Sequence, residues 1–268
     1  MEKSQSIISN GILVLKNSWD FIHRLPEATE ANLHPWRRDS IKRIRSFHNK
    51  YIGKRCFIIG NGPSLHNTDM KKLKNEFTFG MNRIFLMFPE LGFKTSFIVS
   101  VNDLVIEQSK DELRKVDIPI FVSWRARQWL EPQDNLYYLY TTYTGKKFAK
   151  DVTKRLWEGA TVTYSCLQLA FYMGFSKVIL IGVDHNFSIK GKPNTTVVSK
   201  GDDLNHFHPG YFGKGFKWQL PDLDTSEVGY WLARETFQKN GGVVVDATVS
   251  GKLTVFPKVN YESLFNET

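Results

Sequence analysis

The stretch Lys54-Arg55-Cys56-Phe57-Ile58-Ile59-Gly60-Asn61-Gly62-Pro63-Ser64-Leu65 decides the fold. Its first half is almost continuously apolar, as in a parallel strand covered on both faces; a half-exposed strand would alternate. Its second half is a turn, in which two glycines and a proline end the strand abruptly. A short polar helix is expected after it, over residues 69–74.

Working outward, the same punctuation repeats. Phe77 to Gly80 leads into Met81-Asn82-Arg83-Ile84, a second strand end. Residues 96–101 form a third strand, followed by Asn102-Asp103, and residues 118–123 a fourth, ending at Trp124-Arg125. Residues 136–141 add an edge strand. Residues 161–173 read as a helix lined by Leu167, Leu169, Ala170 and Tyr172, with Gly174 as its cap. Residues 176–182 are another buried strand, followed by Val183-Asp184-His185-Asn186-Phe187. A helix over 226–239, a break at Gly241-Gly242 and a last strand over 243–246 complete the pattern. Strands that alternate with helices and end in Gly, Asn, Asp or His make an α/β fold, with its ligand beyond the carboxyl ends of the strands. Residues 188–225 are polar, Gly-rich and long for a connection, the reading of a lid or binding loop.

The 268-residue chain is 41% hydrophobic and 24% charged, the balance of a globular protein with one principal core. Thirty-six Lys and Arg against 27 Asp and Glu leave +9, an excess that invites a nucleic-acid or membrane reading. Residues 1–55 hold 11 basic and 5 acidic side chains, a net +6; the other 213 residues hold 25 and 22, a net +3. No nucleic-acid motif accompanies that charge, and nucleic acid is not an expected partner. Cys56 and Cys166 sit in apolar runs and read as buried free thiols. No run approaches the length of a membrane-spanning helix, and the first residues lack a cleavage-site pattern. The expected location is cytoplasmic.

The basic excess belongs to the N-terminal segment. Residues 5–24 alternate weakly and read as a first helix or an extended arm. A clearer helix is expected after His34, with Pro35 in its first turn and Trp36, Ile41, Ile44, Phe47 and Tyr51 as an apolar stripe. Arg37, Arg38, Lys42, Arg43 and Arg45 fill the rest, either as a solvated face or as a surface for anionic lipid or a polyanionic substrate. The second alternative places the protein peripherally at the inner face of a membrane.

Four groups of residues are candidates for chemistry. Gly60, Asn61, Gly62 and Ser64 follow the first strand, where glycines let backbone amides face an anion and Ser64 caps or donates; a tight structural turn is the alternative. The loop is neither a dinucleotide fingerprint nor a Walker loop. Asn82 and Arg83 end the second strand, where the Arg83 fork suits phosphate oxygens, and Asn102 and Asp103 share that rim. Asp184 and His185 follow the strand over 176–182, where a carboxylate beside an imidazole permits acid–base work, or caps a turn and covers an apolar edge. In the long loop, His206 and His208 are two imidazoles without a third ligand at a strong spacing. Asp202, Asp203, Asp222 and Asp224 are carboxylates that suit Mg²⁺ or plain solvation. A single imidazole as general base is the more economical use of the loop.

GNGPSL after the first strand, the FGMNRI strand end and TVTYSCLQLAFYMGFSKVILIGVDHNF resemble the MptE-like proteins. That group is associated with bacterial motility accessory factors and archaeal 6-hydroxymethylpterin diphosphokinases. The same elements look like those of the bacterial CMP-sialic-acid-dependent sialyltransferases, over residues 54–250. The resemblance implies a modified Rossmann-like parallel-sheet domain, helices on both faces and a lid over 188–225. It also implies an inverting, metal-independent glycosyl transfer from a CMP-sugar to a glycan or lipid-glycan acceptor. In that reading Gly60, Asn61, Gly62 and Ser64 hold the nucleotide, and Asn82 lies near nucleotide or donor. Thr161 begins the stretch matching a Thr-Ser-Gly run, with its hydroxyl contact moved to Thr163. Asp184 is the strand-end acid, His206 the base, and Arg83 a donor to phosphate and developing charge. A pair of lid tyrosines assists phosphate departure in those enzymes; His185-Asn186-Phe187 stands here where the first is expected, with Tyr211 or Lys214 as the substitutes at hand.

The rival is Mg²⁺-dependent diphosphoryl transfer from ATP to a pterin alcohol, with Asp184, Asp202 and Asp203 on the metal. A third reading is a non-catalytic module for an anionic glycan or membrane surface. No tightly bound cofactor or resident metal is expected for the transferase. Its expected partners are a nucleotide-sugar, a glycan or glycolipid acceptor and a further copy of the chain. The chain divides into a basic helical segment over 1–52, a catalytic domain over 53–250 and a tail over 251–268.

Overall fold

The apolar run of residues 54–59 becomes strand β1, Arg55–Ile59, and its side chains alternate between two cores. Cys56 and Ile58 enter one and Phe57 and Ile59 the other, all four with no exposed surface. Burial of a large apolar side chain contributes about 1.5–3 kcal/mol, so this short strand is anchored from both sides. The computed structural model describes residues 25–143, 147–187 and 191–266. The weakly alternating stretch over residues 5–24 lies outside them.

Six further strands join β1: β2 (Phe77–Met81), β3 (Phe97–Ser100), β4 (Ile120–Ser123), β5 (Leu136–Leu139), β8 (Lys177–Ile181) and β11 (Val243–Asp246). The sheet order is β11-β8-β1-β2-β3-β4-β5, and every neighbouring pair is parallel. The chain thus walks from β1 to β5 in one direction, then returns to lay β8 against the opposite side of β1. Right-handed crossovers in opposite directions place their connections on opposite faces. The cores agree with that rule. Leu65, Ile84, Val105 and Trp124, from the connections after β1 to β4, share one core with Phe57. Cys166 and Leu167 from the helix Val162–Tyr172, and Tyr230 and Phe237 from the helix Leu223–Lys239, share the other with Ile58. The result is a mixed α/β domain whose parallel sheet is flanked by helices, consistent with a Rossmann-like fold.

The basic helix, Pro35–Ile44, has a structural task. His34 caps it, with Nδ1 accepting from the Trp36 amide at 3.2 Å. It lies along the free edge of β5, where Ser40 Oγ accepts the Tyr138 amide at 3.1 Å and Arg43 donates to the Asp134 and Leu136 carbonyls at 2.8 Å. Arg37, 1% exposed, donates to the Thr153 carbonyl. An open strand edge is a template for unwanted pairing, and a covering helix removes it. The expectation of a location at the inner face of a membrane is therefore corrected. Arg37 and Arg43, two of the basic residues that suggested it, are turned into the fold while Arg38, Lys42 and Arg45 stay exposed, and among the described residues no helix is long and apolar enough to cross a membrane.

Two other expectations change. Residues 251–266 do not lead away as a tail: Leu253 and Phe256 enter one core and Tyr261 and Leu264 the other, while the Asp246 amide donates to the Pro257 carbonyl beside β11. The long polar region contains a hairpin that its composition conceals. Strand β9 (Thr196–Val198) pairs antiparallel with β10 (Lys217–Gln219). The hairpin is tied to the rim of the sheet, where Gln108 donates to the Lys217 carbonyl and accepts its amide, both at 2.8 Å. Two short strands, β6 (Thr141–Thr142) and β7 (Leu156–Trp157), form a separate parallel pair beyond β5.

Candidate active site

The order reversal puts the carboxyl ends of β1 and β8 side by side, the place where open α/β sheets bind ligands. Gly60 continues β1 and Gly182 continues β8, and a Cβ at Gly60 would stand 2.1 Å from the Gly182 carbonyl oxygen. The Gly60 amide donates to the Ile181 carbonyl at 2.7 Å and the Gly62 amide to the Gly182 carbonyl at 2.9 Å. These amides hold the two loops together and do not face a ligand. That corrects the expected anion-cradling role of the two glycines. The atom left over is Asn61 Oδ1, which is buried without a hydrogen-bond partner.

A cavity of about 180 Å³ opens beside this junction. The loop residues Gly60, Asn61 and Gly62, the strand-end residues Asn82 and Asp184, the hydroxyls of Thr161 and Thr163, and the His206 ring all line it. Ser64 stands behind it, its hydroxyl donating to Asp184 Oδ2 at 2.7 Å and its amide to Oδ1 at 3.3 Å. Burial raises the Asp184 carboxyl above its ordinary value, and the Ser64 hydrogen bonds work against the rise. His185 Nε2 pairs with Glu227 Oε1 at 2.9 Å. Two helices begin on this cavity: Val162–Tyr172, capped by Thr161, and Leu223–Lys239, capped by Asp222. Helix starts present donors and the positive end of the helix dipole. No lysine or arginine is among the described residues that line the cavity.

Three of the lining residues, Asn82, Ala160 and His185, have φ of +51°, +58° and +53°. Side chains rarely occupy this left-handed region unless surrounding structure enforces it, and such strain gathers at functional sites.

A second cavity, of about 410 Å³, adjoins the first and shares Asn82, Thr161, Phe187, His206 and Asp222 with it. Asn102 and Asp103 line this second cavity and not the first. Arg125 crosses its floor, with Nε donating to Asp103 Oδ2 and an Nη to Glu158 Oε1, both at 2.7 Å.

His206 stands between the two cavities. Its Nδ1 lies 2.7 Å from Asp203 Oδ2, and its ring stacks on Tyr211 at 4.1 Å with 11° between the planes. Burial works against the Asp203 charge, yet His206 and the Asn205 and Phe212 amides hold the carboxyl below its ordinary range. Tyr211, with no exposed surface, is a platform under the imidazole and lines neither cavity, and Lys214 is exposed outside both. The structure does not bring Arg83 to either cavity. Its guanidinium donates to the Gly210 carbonyl at 2.9 Å and to that of Tyr211, with Glu112 at 3.5 Å. His208 Nδ1 accepts the Gly210 amide, away from His206 as a shared ligand pair. Among the described residues no group of three His, Cys, Asp or Glu side chains gathers as a metal site.

Sequence reasoning missed Asp203 as the partner of His206, although the spacing of three was visible. Arg125, Glu158 and Tyr230 left no local signal. Tyr230 lines the first cavity, with its hydroxyl 3.3 Å from Thr161 Oγ1, and burial pushes its phenol up, so it stays protonated.

Residues 28–190 match the family described as "6-hydroxymethylpterin diphosphokinase MptE-like". The chain is also similar in fold to the MAf glycosyltransferase from Magnetospirillum magneticum AMB-1, with a TM-score of 0.52 and 13% sequence identity over 86% of its length. It spans 39% of that protein. No curated protein matches the sequence.

Proposed function

This chain belongs to the MptE-like family, and on that premise we propose that it is a nucleotide-dependent, sugar-processing enzyme, a glycosyltransferase that uses a CMP-sugar. The observation that carries the reading is the Asp203–His206 pair between two adjoining cavities. The nucleotide occupies the first cavity, beside Asn61 and Asn82, with its phosphate at the two helix starts. The acceptor enters the second. His206, with Nδ1 held by Asp203, uses Nε2 to remove the acceptor hydroxyl proton as that oxygen attacks the anomeric carbon. The anomeric carbon–oxygen bond to phosphate breaks, and its electron pair leaves with CMP. The configuration inverts. Tyr230 is the protonated hydroxyl that meets the charge developing on the departing phosphate, work that preorganised donors do well in a site closed to water.

The family description favours a second reading, diphosphoryl transfer from ATP to a pterin alcohol. It needs Mg²⁺ on carboxylates and phosphates, whereas Asp184 is engaged by Ser64 and Asp203 by His206. A thermal-shift panel separates the two, using CMP, CDP, UDP, GDP and ATP, each with and without Mg²⁺. Stabilisation by CMP or CDP without metal is the expected result. A response to ATP alone, seen only with Mg²⁺, contradicts the transferase and favours the kinase.

A further inference from the structure

The second cavity has chemistry that a nucleotide site does not require. Its charged wall is Asp103, Glu158 and Asp222 against the guanidinium of Arg125. That guanidinium is already spent: it donates to Asp103 and Glu158 at 2.7 Å and to Thr141 Oγ1 at 3.2 Å. Glu158, 8% exposed, also accepts the Thr141 hydroxyl at 2.6 Å. An anion entering here meets three carboxylates against one guanidinium that two of them already occupy, a net negative wall with no cation left unpaired among the described lining residues, and like charges brought together are disfavoured. The opposite wall is aromatic, from Phe187, Phe212 and Trp218, with the Tyr143 hydroxyl at the mouth 2.9 Å from Asn194 Oδ1.

Carboxylates accept hydrogen bonds and cannot donate them, so their natural partner is a ligand rich in hydroxyls. Aromatic faces suit a flat apolar surface beside those hydroxyls. A pyranose ring offers both. We propose that the second cavity is the acceptor subsite and that it selects an uncharged sugar ring, excluding uronates, phosphorylated sugars and other anionic acceptors. The proposal rests on the transferase reading for the delivery of one ring hydroxyl to His206, which lines the same cavity. The charge and shape of the cavity support the selectivity independently of the donor.

The test is binding by the full chain of three probes, with and without saturating CMP: methyl β-galactoside, methyl β-glucuronide and galactose 6-phosphate. Ligand-observed NMR titration should show the neutral glycoside at least about tenfold tighter than either anion, as a net negative wall dictates. Tyr143→Phe and Trp218→Ala should each weaken the glycoside several-fold and leave CMP binding unchanged. Tyr143 is 39% exposed, so that variant reports on the site even if Trp218→Ala fails to fold. An anionic probe that binds as tightly as the glycoside overturns the proposal, and so does glycoside binding unmoved by Tyr143→Phe. Absent CMP binding with the glycoside preference intact counts against the transferase reading and leaves the subsite standing.

Discussion

Asp203 Oδ2 lies 2.7 Å from His206 Nδ1 and accepts the Phe212 amide at 3.1 Å as well. One carboxylate therefore orients the imidazole and closes the loop that carries it. With Nδ1–H donating to the carboxylate, the basic lone pair is confined to Nε2, the arrangement a general base needs. Removing the carboxylate frees the tautomer, and Asp203→Asn should lower turnover roughly 10²–10⁴-fold with CMP affinity unchanged. Steady-state kinetics beside calorimetric titration of CMP check it; full turnover in the variant removes Asp203 from the role.

The two carboxyls at the site act on stability with opposite sign. Asp203 is held below the ordinary 3.8, so its contribution is complete above 3.8 and is lost as pH falls through its lower folded value. Asp184 is raised above 3.8 by burial, so its contribution is present in acid and is lost as pH rises from 3.8 through its higher folded value. Urea midpoints across about pH 3 to pH 6 should show Asp203→Asn flattening the low-pH limb and Asp184→Asn flattening the limb above it. Identical profiles for the two variants would contradict these assignments.

Arg83 acts as a positioning residue. Its bonds to the Gly210 and Tyr211 carbonyls fix the platform on which His206 stacks. Arg83→Ala should cost about 1–3 kcal/mol of stability and lower kcat more than it raises KM for the nucleotide. Arg83→Lys, which retains charge but lacks the fork, should recover only part of the loss. Weakened nucleotide binding at unchanged kcat would instead place Arg83 on the phosphate.

Tyr230→Phe removes a hydroxyl from the wall of the first cavity and keeps the ring that packs 5.7 Å from Phe256. The fold should survive, and turnover should fall roughly 10–10³-fold, the scale of one lost transition-state donor. Melting curves and single-turnover rates separate the two effects. Undiminished turnover would rule Tyr230 out as the donor.

Arg43→Ala should uncover the β5 edge. The loss of two hydrogen bonds to the Asp134 and Leu136 carbonyls should cost about 1–3 kcal/mol and promote self-association through the exposed strand. Light scattering and thermal melts read both; a variant that melts and remains dispersed like the parent would refute the edge-covering role.

Much of the frame was legible because it depends on local pattern. The apolar runs at residues 55–59, 177–181 and 243–246 read as covered strands, and the residues that follow the first two line the first cavity. His206 was legible as a candidate in a polar loop, and the structure places it between the two cavities. The work of the glycine loop was not, because it depends on β8 lying beside β1: Gly60 and Gly62 spend their amides on Ile181 and Gly182, over a hundred positions away. Arg83 was misread for the same reason, its carbonyl partners being 127 and 128 residues distant. The basic helix was misread because charge counts carry no direction. Arg43 points inward to the Asp134 and Leu136 carbonyls of the edge it covers, and Arg37 to the buried Thr153 carbonyl.

The central claim, that His206 is the base between a nucleotide cavity and an acceptor cavity, is tested most directly by His206→Ala. Turnover of a CMP-sugar and the dissociation constant for CMP should be measured on the same preparation. The account predicts a fall in kcat of roughly 10²–10⁴ with the CMP constant close to that of the parent. Unchanged turnover would contradict it.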